Sequence, residues 1–164
     1  MIEMMKSLTE QVMGWLKDDP VRPTIPFHMR IGLNADVYAL KDESDSPRAI
    51  TCVSYQDRVP ASEDELFRSE STPTVAVFYT IWSYRKGAGR ELLLDAMNHI
   101  KATRIDIAKF VTLSPPTDMA RDFHIRNGAC VYRVNENTVN YEYNACPPCN
   151  HLCEQGRLCP ARIV

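Results

Sequence analysis

The segment from Val75 to Leu94, VAVFYTIWSYRKGAGRELLL, constrains the fold more than any other part of the chain. Its first half is β-branched and aromatic and reads as a buried strand, and leucines at helical spacing follow almost at once. Between them lies a short turn holding Arg85, Lys86, Gly87, Ala88, Gly89 and Arg90. Gly87 and Gly89 permit positive φ and close approach of a ligand to the backbone. Consecutive N–H groups from Tyr84 to Arg90 can therefore converge on an anion. A helix starting near Ala88 adds about 0.3–1 kcal/mol for each neighbouring negative charge. A phosphate or pyrophosphate is the expected guest.

Two common phosphate loops are excluded by inspection. The chain contains no Gly-x-x-x-x-Gly-Lys-Ser/Thr, and the turn lacks the third glycine and the early N-terminal position of a dinucleotide fingerprint. A second block, Thr117-Asp118-Met119-Ala120-Arg121-Asp122-Phe123-His124-Ile125-Arg126-Asn127-Gly128-Ala129, follows one helix and one strand later. Together the blocks resemble the acetyl-CoA pyrophosphate loop (Gln/Arg-x-x-Gly-x-Gly/Ala) and the later Asn-x-x-Ala-x-x-Phe-Tyr-x-x-x-Gly-Phe motif of the GNAT (GCN5-related) N-acyltransferases. Gly87, Gly89, Ala120, Phe123 and Gly128 match. Tyr84 stands in place of Gln or Arg, Thr117 of Asn, His124 of Tyr and Ala129 of Phe. The resemblance covers roughly Ala35 to Tyr143.

This resemblance implies an α/β (α+β) fold: a mixed, mostly antiparallel sheet flanked by helices. It also implies acetyl-CoA as co-substrate and direct transfer of the acetyl group to an amine of a small molecule or protein. The main chain of Ile81, Trp82 and Ser83 would hold the pantetheine and thioester. Tyr84, Arg85, Lys86, Gly87, Ala88, Gly89 and Arg90 would hold the pyrophosphate, with Thr117 nearby. His124, at the tyrosine position, is the expected acid for the leaving thiolate, since histidine titrates near neutrality; a helix histidine satisfied by solvent or backbone is the competing reading. Tyr79, Glu63, Glu65 and Glu70 are candidates for the base. The departures at Tyr84, Thr117 and His124 leave two alternatives open, a catalytically silent GNAT-fold binding or assembly protein and a GNAT-like nucleic-acid modifier.

Length and charge narrow the choice. At 164 residues the chain is expected to form one catalytic domain with its own core. A formal net charge of −2 argues against a dedicated nucleic-acid binder, which normally carries a basic stripe. No apolar run approaches the length needed to span a bilayer, and the N-terminus lacks the pattern of a signal peptide. A cytoplasmic location is expected.

Read in order, residues 1–20 are expected to hold an amphipathic helix over Met1 to Asp18, with Met5, Leu8, Val12, Trp15 and Leu16 on one face. Residues 21–143 form the GNAT-like domain. A proline-rich extended stretch, Val21 to Pro26, leads to a hairpin of Met29–Leu40 and Arg48–Tyr55, then a polar connection from Gln56 to Pro73. Beyond the central strand and turn, Leu92, Leu93, Ala96, Met97 and Ile100 mark a core-facing helix stripe ending near Thr103. Ile105–Leu113 reads as a strand. A helix capped by Ser114 or Thr117 and closed by Gly128 follows, then a hairpin of Cys130–Val134 and Val139–Tyr143. Cys52 and Cys130, in strands, are expected to be buried and inert.

Residues 144–164 are set apart by Cys146, Cys149, Cys153 and Cys159, which hold four of the six cysteines. Thiolates at C-x2-C spacing can occupy two corners of a Zn2+ tetrahedron, with His151 as a further ligand. The full spacing C-x2-C-x3-C-x5-C is not that of a zinc ribbon, so disulfides, a reactive tail and an iron–sulfur cluster stay open. A structural or partner-binding role is expected for the tail. It and the N-terminal helix are the expected contacts for a homodimer or protein partner.

Overall fold

The computed structural model describes residues 1–69 and 71–143. Strands β1 (Ile2–Met5), β2 (Ala35–Lys41), β3 (Pro47–Gln56), β4 (Val75–Ser83), β5 (Lys109–Thr112), β6 (Cys130–Val134) and β7 (Val139–Tyr143) form a single sheet of order β1-β2-β3-β4-β5-β7-β6. Among the described strands only β4 and β5 run parallel. A parallel neighbour requires a crossover, and α2 (Ala88–Thr103) supplies it. The other α-helices among the described residues are α1 (Glu10–Leu16) and α3 (Asp118–Arg126). No helix among the described residues is long and apolar enough to cross a membrane.

The helix expected over Met1–Asp18 is replaced by two elements. Ile2 to Met5 pairs antiparallel with β2, placing Ile2 and Met4 against one core and Met5 in the other. That period-2 burial, with a ladder to β2, outweighs the helical spacing of the apolar residues. The helix starts only at Glu10, where the Thr9 side chain accepts a hydrogen bond from the Val12 N–H. The strand expected from Met29 starts at Ala35, after a 3-10 turn at Phe27–Met29.

Each sheet face has its own core. On one, Leu92, Leu93, Ala96, Met97 and Ile100 of α2 pack on Tyr38, Leu40, Val53, Phe78, Phe110 and Tyr141. On the other, Val12 and Leu16 of α1 pack with Ile25 on Val37, Ile50, Val77, Tyr79, Trp82 and Leu113. Cys52 is fully buried as expected, whereas Cys130 is exposed. It lies on β6, whose five residues are all exposed at the sheet edge.

Within β4 the register slips once. Cys52 faces Thr80 and Val53 faces Phe78, so Tyr79 is the extra residue of a β-bulge. Side-chain parity changes with it. Val75, Val77, Tyr79 and then Trp82 point to the α1 face, and Ala76, Phe78 and then Ile81 to the α2 face.

Candidate functional site

The site begins where β4 and β5 part. Their ladder runs from Val75 opposite Lys109 to Phe78 opposite Thr112, and the Leu113 N–H still donates to the Phe78 carbonyl at 3.1 Å. Then Ser114 exchanges backbone hydrogen bonds with Val139 of β7, both at 2.9 Å, and Pro115 and Pro116 follow. The chain after β5 is thus drawn toward β7 while β4 continues to Ser83. A wedge opens between them.

Bulge and wedge together expose backbone donors. The Tyr84 N–H donates to the Arg48 carbonyl of β3, and the Thr80 carbonyl accepts from Thr51 Oγ1 on β3. Backbone groups alternate sides along a strand. The N–H groups of Ile81 and Ser83 therefore face the wedge, where β4 has no strand partner.

A cavity of about 340 Å3 occupies the wedge. Its wall includes β4 from Phe78 to Ser83, Leu113 to Pro115, Thr117, Met119, Ala120, Phe123 and His124 of the next segment, Gly89 and Leu93 of α2, and Pro20 with Val21. Among the described residues no Asp, Glu, Lys or Arg lines it.

At the mouth of the wedge the turn takes the expected form at one glycine. Gly87 is left-handed, with φ of 81°, and caps α2. Gly89 lies inside the first turn of α2 and does not need positive φ. A Cβ there would stand 3.6 Å from the Phe123 ring. Tyr84, Arg85, Lys86 and Arg90 are exposed around the helix N-terminus. The Tyr84 hydroxyl donates to Asp18 at 2.8 Å and accepts from Trp82 Nε1 at 3.1 Å, which turns it toward the α1 end. Arg85 is held by Asp42 of the β2–β3 turn at 2.6 Å. Thr117 caps α3 by accepting from the Ala120 N–H at 3.2 Å.

His124 is buried, with Nδ1 2.7 Å from the Tyr143 hydroxyl and its ring stacked on Tyr141. Burial pushes its pKa down to about 4, so the imidazole is neutral at pH 7. Tyr79 borders the cavity, but its side chain lies in the α1-face core, edge-on to Phe67 at 5.6 Å. Its hydroxyl is buried beside the Cys52 thiol, and burial raises its pKa well above the usual tyrosine value. A phenol so placed is a poor proton acceptor, against the base role expected for it. Neither Glu63 nor Glu65 lines the cavity: Glu63 pairs with Arg22 at 3.6 Å, and Glu65 accepts from Ser62. Glu70, Cys146, Cys149, His151, Cys153 and Cys159 lie outside the described residues. Among the described residues no cluster of His, Cys, Asp or Glu could hold a metal ion.

Sequence reading missed Asp19, Arg22 and Arg30. Asp19 and Arg30 form a fully buried ion pair at 2.7 Å. Asp19 also accepts from Thr80 Oγ1 and from the Val21 and Arg22 N–H groups. The Arg22 guanidinium donates to the Tyr79 carbonyl at 3.3 Å and to the Leu113 carbonyl at 2.9 Å, joining β4 and β5 at the point of the wedge.

No protein-family model matches the sequence, and no curated protein matches it. Solved structures do match in fold. The Agrobacterium vitis malonyl-CoA decarboxylase superposes with a TM-score of 0.74 at 16% identity, over 88% of this chain and 60% of that one. The GNAT domain of Streptomyces lividans PAT gives 0.63 at 13% identity, over 88% and 89%. A Bacillus subtilis acetyltransferase solved in complex with CoA gives 0.60 at 12% identity, over 88% and 97%. The chain thus spans about 60% of the decarboxylase and nearly all of the acetyltransferase. It shares the GNAT fold with these structures at 12–16% identity.

Proposed function

We propose that the protein is an acyl-CoA-dependent N-acyltransferase that passes a small neutral acyl group, acetyl being the simplest, directly to an amine. The observation that carries this reading is the wedge. Two backbone donors, Ile81 and Ser83, face an apolar cavity that reaches Gly89 at the N-terminus of α2. Apolar walls with a few fixed donors suit a pantetheine arm and thioester, and a sixteen-residue helix aimed at the mouth suits the pyrophosphate. Main-chain donors next to the thioester carbonyl would stabilise the oxyanion as the amine attacks. An alkylamine with a pKa near 10 must first lose a proton, and water can carry it out of the wedge. With the Tyr143 hydroxyl donating to Nδ1, His124 keeps its proton on Nε2 and serves the departing sulfur as a neutral hydrogen-bond donor.

The decarboxylase neighbours raise the question of an acidic acyl group. A malonyl carboxylate would find no Lys or Arg among the described residues of the cavity wall. Isothermal titration of the full-length protein with acetyl-CoA and malonyl-CoA tests both points. Saturable acetyl-CoA binding, about tenfold tighter than malonyl-CoA, is expected. Absence of acetyl-CoA binding would reject the reading, and tighter malonyl-CoA binding would replace it with chemistry on a carboxylated acyl group. The buried Tyr79 phenol and the uncharged His124 favour one second reading, a silent binding protein. It requires acetyl-CoA binding with no acyl transfer to a broad amine panel.

A further inference from the structure

Arg22 lies in a stretch that its prolines mark only as extended, yet its guanidinium occupies the point where β4 and β5 separate. There the Tyr79 carbonyl, at the bulge, and the Leu113 carbonyl, just past β5, both face the wedge where the β4–β5 ladder has ended. Arg22 donates to both, at 3.3 and 2.9 Å. Its own backbone N–H donates to Asp19 at 2.9 Å, and its side chain, 12% exposed, pairs with Glu63. Buried carbonyls need such partners, and a guanidinium presents several donors in a fixed plane.

The carbonyl it holds sets the direction of the next amides. The Phe78 carbonyl accepts from Leu113 on the β5 side, and the Tyr79 carbonyl points to the same side. Two successive carbonyls on one side are the bulge itself. Without it the alternation would run on unbroken, and the Ile81 and Ser83 N–H groups would turn to β3. We propose that Arg22 is a positioning residue for acyl transfer, holding the Tyr79 carbonyl so that the Ile81 and Ser83 amides face the thioester. The thioester part of this proposal rests on the acyl-CoA reading. Arg22's effect on the backbone does not.

The test uses full-length wild type, Arg22→Met and, because Met could impair folding, Arg22→Lys. Amide hydrogen exchange without ligand is the first readout. In wild type Trp82 and Tyr84 are expected to exchange slowly and Ile81 and Ser83 rapidly. Arg22→Met is expected to shrink that contrast about tenfold or more, and Arg22→Lys, which can span the two carbonyls less well, to give an intermediate value. The second readout is titration with acetyl-CoA and with adenosine 3′,5′-bisphosphate, a nucleotide probe that lacks the pantetheine arm. Arg22→Met should weaken acetyl-CoA about tenfold or more and leave the nucleotide within about twofold. An unchanged exchange pattern in a folded variant, or equal weakening of both ligands, would overturn the proposal. If wild type does not bind acetyl-CoA, the acyl-CoA reading falls, and the exchange contrast alone decides whether Arg22 holds the bulge.

Discussion

His124 Nδ1 and the Tyr143 hydroxyl lie 2.7 Å apart, tying α3 to the last described strand. The ring is packed between Phe123 and Tyr141, with centroids 5.1 and 5.0 Å away, so a charge on it would have little solvent. Burial sets its pKa at about 4 in the folded protein, against about 6.5 in an unfolded chain. Between those values the unfolded chain binds a proton that the folded one does not. Stability should be full above pH 6.5 and fall by about 1.4 kcal/mol per pH unit down to pH 4. Urea unfolding across that range checks this, and His124→Phe should flatten the slope. The same variant should spare acetyl-CoA binding and slow turnover if His124 assists the departing sulfur.

Gly87 and Gly89 should fail in different ways. A Cβ at Gly87 meets nothing within 4 Å, so the cost of Gly87→Ala is that of a left-handed backbone, about 1–2 kcal/mol. Gly89→Glu places a carboxylate beside Phe123 at the cavity mouth. It should lower acetyl-CoA affinity more than tenfold with a small change in Tm. Titration and thermal unfolding of both variants separate strain from obstruction.

Asp19→Ala leaves the Arg30 guanidinium buried without its anion and the Thr80 hydroxyl without its acceptor. Breaking a buried pair by removing one partner costs about 3–5 kcal/mol. Equilibrium urea unfolding should show that loss, and a change below about 1 kcal/mol would mean that the pair contributes little.

Arg85 is held away from the N-terminus of α2 by Asp42, which also accepts from the Ser44 and Ser46 N–H groups. Asp42→Asn keeps the turn's acceptor and removes the charge. Acetyl-CoA affinity should then rise about two- to fivefold at low salt, an advantage that fades at high salt. Arg85→Ala should lower affinity, and no change in either variant would exclude Arg85 from pyrophosphate binding.

Local patterns carried much of the fold. The strand–turn–helix at Val75–Thr103 and the closing hairpin follow from periodicity and turn residues, and the α2 stripe is buried where spacing placed it. Elsewhere distant partners decided the outcome. Ile2 to Met5 became a strand because β2 was there to pair with it. Asp19, just past the end of the expected N-terminal helix, is an anchor because Arg30 and Thr80 converge on it. The depressed pKa of His124 comes from its burial, against rings that include Tyr141 of the last strand, which no helix pattern reveals. The bulge at Tyr79 leaves no composition signal, and Arg22 is intelligible only once the bulge is seen.

The segment that closes the wedge reaches far along the chain. Thr80 to Asp19 spans 61 residues, and Arg22 to the Leu113 carbonyl spans 91. Contacts of such separation form only after the intervening loop has closed, at an entropic cost that local elements do not meet. The cavity is therefore expected to be among the last features to appear during folding and among the first to open on partial unfolding. The sheet and α2 can be complete while the pocket is not.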